Sequence, residues 1–210
     1  MSQLGYRTAL AVTKDGEYVA DTGPLLCLGY SKQLRDHVKR RWGRKTHWVD
    51  AVRQELALHA KKYDAKGRAA QYFGGTAARW LVDAPPVDDA DIPKLNALLA
   101  RLKALELEKS AITGRRVKTG SKANLGEAES ILFACQQGHT LLAHDNDAKK
   151  VAREVGVPAG TVVDLARWLV AQGANVAELG QSLLDLQATD IDSGERISGV
   201  LDLVPRQRRF

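Results

Sequence analysis

Short apolar runs alternate with stretches of helical period along most of the chain. The strand candidates lie near residues 17–21, 46–49, 79–83, 139–143 and 161–163, carried by Tyr18-Val19-Ala20, Thr46-His47-Trp48-Val49, Leu81-Val82, Leu141-Leu142-Ala143 and Thr161-Val162-Val163. Between them, Thr22-Gly23-Pro24 opens a helix with a hydroxyl for its cap and a proline in its first turn. Asp50 is expected to cap a helix through about Tyr63, with Val52, Leu56, His59 and Tyr63 on one apolar face. Ile92-Pro93 starts a helix to about Lys109, followed by a polar, basic loop from Ser110 to Lys122. Asn124 to Val157 then reads as helix, strand, acidic turn, helix. Asp164 caps a further helix ended by Gly173, and Asn175 begins another to about Ala188. At the N-terminus, Asp15-Gly16 between two short β segments, Tyr6 to Val19, is a hairpin signal.

Strands this apolar, entered and left by helices, belong to a buried parallel sheet with helices on both faces and right-handed crossovers. Hydrophobic content of 44% with 27% charged residues predicts a folded chain rather than a disordered one. No apolar run approaches the roughly 20 residues of a membrane span, and the N-terminus has no signal-peptide pattern. Cys27 and Cys135 sit in apolar helical contexts, so both are expected to be buried thiols in a reducing compartment, and the cytoplasm is the expected location.

The net charge of +6 is unevenly spread. Residues 32–68 are rich in Lys and Arg, including Arg40, Arg41 and Arg44; Arg115, Arg116, Lys118 and Lys122 form a second run, and Arg206, Arg208 and Arg209 a third. Patches of this kind favour a polyanion through counterion release, whereas the plainer reading is a set of solvated helix faces. Trp42, within the basic run, is a candidate for base stacking as well as for the core.

Carboxylates give the charge a chemical context. Asp21 follows the first strand, Asp145 and Asp147 follow the fourth, Glu127 opens the helix before that strand, and Glu55 borders an apolar helix face. Each has an ordinary explanation: Asp21 precedes a capped helix, Glu127 stands at capping-box distance from Asn124, and Asp145 or Asp147 caps the helix after it. Taken together, Asp21, Asp145 and Asp147 fall on one edge of a parallel sheet, where open α/β sheets bind ligands. Converging carboxylates repel one another unless a cation or protons offset the charge. Hard oxygen ligands favour Mg²⁺ or Mn²⁺, and such an ion among basic residues suits phosphodiester hydrolysis. The five histidines have no zinc-type spacing, and Gly114 to Lys122 fails the P-loop pattern because five residues separate its glycines.

These residues resemble the PIN-domain nucleases. Asp21-Thr22-Gly23-Pro24-Leu25-Leu26 looks like the first-strand Asp of that family with its hydroxyl and apolar helix. Leu125-Gly126-Glu127-Ala128-Glu129 is similar to its central acidic motif, and Leu141 to Asp147 to its late strand and Asp-x-Asp turn. The helix Val49 to Leu56 stands where the family's second acid lies. Coverage is about residues 18–172, weakest over a longer 60–122 insertion, with 173–210 as a helical extension. The resemblance implies one PIN-like domain over 1–210, a three-layer α/β/α sandwich with a mainly parallel sheet, an N-terminal hairpin and a C-terminal helical extension. It also implies Asp21, Glu55, Glu127, Asp145 and Asp147 as catalytic residues around Mg²⁺ or Mn²⁺. Asp21, Glu127, Asp145 and Asp147 are the expected metal ligands, with Thr22, Arg40, Arg41 and Arg44 on the substrate. Glu127 and Glu129 both remain eligible, with Glu127 preferred because it stands nine residues before Gln136-Gln137-Gly138. His144 is read as a neutral loop residue. The implied activity is an endoribonuclease on single-stranded RNA, with the toxin role, a small antitoxin partner and a homodimer as analogies. The competing reading is a catalytically silent nucleic-acid-binding or protein-interaction module.

Overall fold

Tyr18, Val19 and Ala20 have no solvent exposure, and this three-residue strand, β1, is the centre of the sheet. The structure, a computed structural model, describes residues 12–114, 117 and 123–204. Around β1 stand β2 (Thr46–Trp48), β3 (Val82–Asp83), β4 (Thr140–Leu142) and β5 (Ala159–Gly160). The order is β3-β2-β1-β4-β5 and every pairing is parallel. Tyr18 pairs with Thr46 on one side and Thr140 on the other.

The helices are α1 (Thr22–Tyr30), α2 (Lys32–Trp42), α3 (Asp50–His59), α4 (Ala65–Gln71), α5 (Ile92–Thr113), α6 (Leu125–Gln137), α7 (Asn146–Glu154), α8 (Val162–Ala171) and α9 (Val176–Gln187). On one face α2, α8 and α9 pack together; on the other, α6 lies on β1 and β4 with α5 and α7 against it. The protein is therefore a three-layer α/β/α sandwich with an all-parallel sheet. No helix among the described residues is long and apolar enough to cross a membrane.

Connections run outward from β1 through β2 to β3, then return to β4 on the other side of β1. The chain direction across the sheet thus reverses between β1 and β4, and the crevice at their C-terminal ends is where such sheets bind ligands. Asp21 follows β1 there, and Asp145 lies three residues after β4.

Several local expectations are corrected. The last strand is Ala159–Gly160, not 161–163, because Thr161 is a helix cap: its hydroxyl accepts from Asp164 N at 3.3 Å, and Asp164 Oδ2 accepts from Thr161 N at 2.8 Å. This capping box draws the β-branched Val162 and Val163 into a helix and makes Asp164 its third residue rather than its cap. The hairpin is replaced by a turn at Lys14-Asp15, tied back by the Tyr18 hydroxyl, which donates to Thr13 O and accepts from Thr13 N. Both sides of β1 are taken by parallel neighbours, so no edge remains for an antiparallel partner; residues 6–11 of that expectation lie outside the described residues. Val49, not Asp50, is the cap residue of α3. That helix ends at His59 because Asp64 starts α4 by accepting from Gly67 N at 2.6 Å, and Tyr63, between the two, is 98% exposed. The helix expected to end near Lys109 runs to Thr113, where Gly114 caps it in the left-handed region at φ 67°. Cys27 is buried, but Cys135 is exposed. The basic residues Arg115, Arg116, Lys118, Lys122, Arg206, Arg208 and Arg209 lie outside the described residues.

Candidate active site: a carboxylate cleft

Asp21 extends the β1–β4 pairing by one step, its backbone N–H donating to Leu142 O at 3.0 Å. It stands at the N-cap position of α1, yet its side chain makes no capping hydrogen bond; it is 7% exposed and faces a cleft of about 250 Å³. Glu55 reaches the same cleft from α3, Glu127 from the first turn of α6, and Asp145 from the N-cap of α7. Four segments far apart in sequence thus bring four carboxylates to the switch point of the sheet.

Thr22 was expected to cap its helix, but the cap position belongs to Asp21. The Thr22 hydroxyl instead donates to Glu55 Oε2 at 2.6 Å, fixing that carboxylate across the cleft. Gly126 lies against the acids: a methyl group there would sit in ordinary contact, 3.7 Å, with both Asp21 Oδ1 and Glu55 Oε2, and tightly, at 3.2 Å, against Val52 Cγ2. Two carboxylate oxygens therefore border the small space left by that glycine.

The expected cap on α6 is absent in its simple form. Asn124 takes the left-handed region at φ 63° and makes no capping bond; its amide donates to Glu106 Oε2 at 3.5 Å. Glu127 and Glu129 separate clearly. Glu127 lines the cleft, whereas Glu129 Oε2 accepts from Ala51 N at 3.2 Å near the start of α3, and burial pushes its carboxyl up. Asp145 does serve as a cap, Oδ1 accepting from Asp147 N at 2.6 Å and Ala148 N at 3.4 Å, while still lining the cleft. Asp147 is displaced from the main space. It pairs with Lys109 Nζ of α5 at 2.6 Å and lines an adjoining hollow with Glu106, Glu127 and Asp145.

The sequence reading missed three contributors to the cleft. Lys66 and His59 line it from the 60–122 insertion and its edge, and Asp192 from the segment after α9. Ile191, 3% exposed, anchors that segment; Cys27 Sγ donates to Asp192 O at 3.1 Å, and Gly194 N donates to Asp192 Oδ1 at 2.8 Å. A lone apolar residue between Asp190 and Asp192, with Gly194 two positions on, is the only trace of this in the sequence. His144 is packed between Gly23 and Gly194, and burial pushes it down to about 4, so it is uncharged near neutrality. His59 Nε2 lies 3.9 Å from Glu55 Oε1, and burial followed by Lys62 holds the imidazole below its usual value.

Arg40, Arg41 and Arg44 do not line this cleft. They flank the end of α2 and the turn into β2, at the N-terminal edge of the sheet and so opposite Asp21. Arg41 lies over the Trp168 ring at 5.2 Å. Trp42 is 1% exposed, which makes it a core residue and removes it as a base-stacking platform.

No family model matches the chain, and no curated protein matches it. What the cleft can hold must be argued from its donors. Asp21, Glu55, Glu127, Asp145 and Asp192 line it against Lys66 as the one lysine or arginine among its lining residues. These carboxylates, two of them bordering Gly126, offer hard oxygen donors beside the imidazoles of His59 and His144, and suit a hard divalent cation such as Mg²⁺ or Mn²⁺.

Proposed function

We propose that this cleft hydrolyses phosphodiester bonds with Mg²⁺ or Mn²⁺, as a cytoplasmic endoribonuclease of PIN type acting on single-stranded RNA. The observation that carries the proposal is the convergence of Asp21, Glu55, Glu127 and Asp145 on one cleft at the β1/β4 switch point. These are four of the five acids that the PIN resemblance assigns to catalysis. The fifth, Asp147, borders the adjoining hollow, which shares Glu127 and Asp145 with the cleft.

Asp21, Glu127 and Asp145 would hold the ion, with Glu55 oriented by Thr22. A divalent ion there would lower the pKa of a water and offset charge on the phosphate oxygens. Lys66, lining the cleft and 3.5 Å from Asp190, supplies a cationic contact for the phosphate backbone. Because Arg40, Arg41 and Arg44 stand at the other edge of the sheet, Lys66 is the better candidate for substrate at the reacting bond. A toxin role, a small antitoxin and a homodimer rest on the resemblance alone.

The test is incubation of end-labelled single-stranded RNA with the protein and Mn²⁺ or Mg²⁺, with a duplex and single-stranded DNA as comparators. Internal cleavage of the single strand is expected, abolished by EDTA and restored by excess metal. Absence of cleavage with either metal on every substrate, alongside retained RNA affinity, would favour the silent binding module.

Thr22→Val gives a finer check. It removes the 2.6 Å bond to Glu55 while keeping the shape, so cleavage should fall roughly 10–100-fold, the usual effect of losing a group that orients a ligand. Thr22→Ser should retain most of the rate.

A further inference from the structure

The opposite edge of the sheet carries a second constellation. Glu17 precedes β1, His47 is the middle residue of β2, and His139 precedes β4. Their meeting is dictated by register. Val19 pairs with His47, and alternation along a strand puts Glu17 on the same face as Val19. Tyr18 pairs with Thr140, and Thr140 N donates to Glu17 O at 2.9 Å, which sets His139 beside Glu17. Three neighbouring strands therefore contribute one side chain each to one face.

Glu17 Oε2 lies 3.2 Å from His47 Nε2 and 3.3 Å from His139 Nε2, and one ligand atom from each residue falls within 4.8 Å of the other two. The imidazoles stack with centroids 4.9 Å apart and planes at 26°. Phe133 of α6 closes one side, 5.5 Å from the His47 ring and 5.8 Å from the His139 ring. Both histidine side chains are 13% exposed, whereas Glu17 is 44% exposed, so the group opens to solvent on the carboxylate side.

We propose that Glu17, His47 and His139 form a zinc-type metal site that clamps the N-terminal ends of β1, β2 and β4. A tetrahedral ion with bonds of about 2.0–2.1 Å has ligand-to-ligand edges of about 3.3–3.4 Å, close to the two carboxylate–imidazole separations. Two imidazoles and one carboxylate leave a fourth position for water, and imidazole nitrogen selects zinc-like ions over Mg²⁺. The site is distinct in place from the carboxylate-rich cleft, and two of its three ligands are imidazoles.

As the residues stand, His47 Nε2 hydrogen-bonded to Glu17 Oε2, with His139 Nε2 3.3 Å from the same oxygen, is a sufficient structural arrangement. An ion held through Nε2 would require the His47 proton on Nδ1, which is buried without a hydrogen-bond partner. The missing outer partner costs affinity, on the order of 10–100-fold, so binding in the micromolar range is expected rather than that of a fully built zinc centre.

The experiment uses the full chain freed of metal, titrated with Co²⁺ and followed by visible absorption, then with Zn²⁺ in a thermal melt. One equivalent of Co²⁺ should give the intense bands of a four-coordinate ion, bleached by Zn²⁺. At about 100 times the dissociation constant, Zn²⁺ should raise the melting temperature by roughly 5–10 °C. Both signals should persist in Asp21→Asn, which removes a cleft ligand, and disappear in Glu17→Gln and His139→Gln. Glu17→Gln preserves an acceptor for the histidines, and its metal-free melt shows whether the fold is retained. No four-coordinate spectrum in the parent, or a spectrum lost in Asp21→Asn and kept in His139→Gln, would overturn the proposal.

Discussion

Asp21→Asn is expected to lower Mn²⁺-dependent cleavage of single-stranded RNA by at least about 100-fold, since it removes a charged ligand and not merely a group that orients one. The substitution keeps size and shape at a position 7% exposed, so a loss of folding is not the expected cause. It also removes one negative charge from a cleft lined by five carboxylates, which relieves repulsion in the metal-free state. The metal-free variant should therefore melt at or above the temperature of the parent, while the stabilisation that millimolar Mn²⁺ gives the parent should shrink. Cleavage, melts with and without Mn²⁺, and RNA affinity are measured together. Equal cleavage by the two proteins would sink the catalytic assignment of Asp21. A lower metal-free melting temperature in the variant would show that repulsion at the cleft is not a net cost.

Trp42→Ala should be the most damaging single change to the core among those considered. Trp42 is 1% exposed and closes the end of α2 against three partners. Its Nε1 donates to Thr13 O at 3.1 Å, its ring meets Tyr18 edge-on at 5.5 Å, and Trp168 lies 5.0 Å away. Truncation leaves a cavity and removes one of the two donors to Thr13 O, the Tyr18 hydroxyl remaining, at a cost of about 3–5 kcal/mol, and a fall in melting temperature of roughly 10 °C or more. Trp42→Phe, which keeps most of the apolar contact, should lose less than half as much. Urea denaturation gives both values, and a loss under about 1 kcal/mol for the alanine variant would contradict the packing described. A base-stacking role for Trp42 would predict the opposite pattern: weakened RNA binding with stability unchanged.

The fates of the predicted acids show where sequence reasoning succeeds. In the sequence, Asp145 or Asp147 reads as a helix cap as well as a ligand, and Glu127 stands at capping-box distance from Asn124. Tertiary structure separates these roles. Asp145 spends one oxygen capping α7, and Asp147 is paired with Lys109 from a helix whose position no local pattern could supply. Asp21, whose side chain caps nothing, lines the cleft, and Thr22 turns from a presumed cap into the partner of Glu55. The substrate arginines failed to reach the cleft for a topological reason. A helix leaving the C-terminal end of β1 must return along the sheet before β2 begins, so a basic run late in α2 ends at the far edge.

Local chemistry settled much of the architecture without any coordinates. Apolar runs bounded by caps, prolines and glycines mark β1, β2, β4 and several of the helices between them, though not α4, because burial on both faces and capping are encoded within a few residues. They also placed Asp21 and Asp145 after two different strands. The sequence could not decide which side chains meet across long separations, since that depends on strand order, register and the face on which each crossover packs. The order β3-β2-β1-β4-β5 brings Asp21, Glu55, Glu127 and Asp145 to one crevice and adds Asp192 from the chain after α9. At the other edge, the same registers join Glu17, His47 and His139, whose spacing in sequence carries no metal signature. Parallel pairing can place residues a hundred positions apart within one hydrogen-bond length, and only the folded sheet specifies which ones.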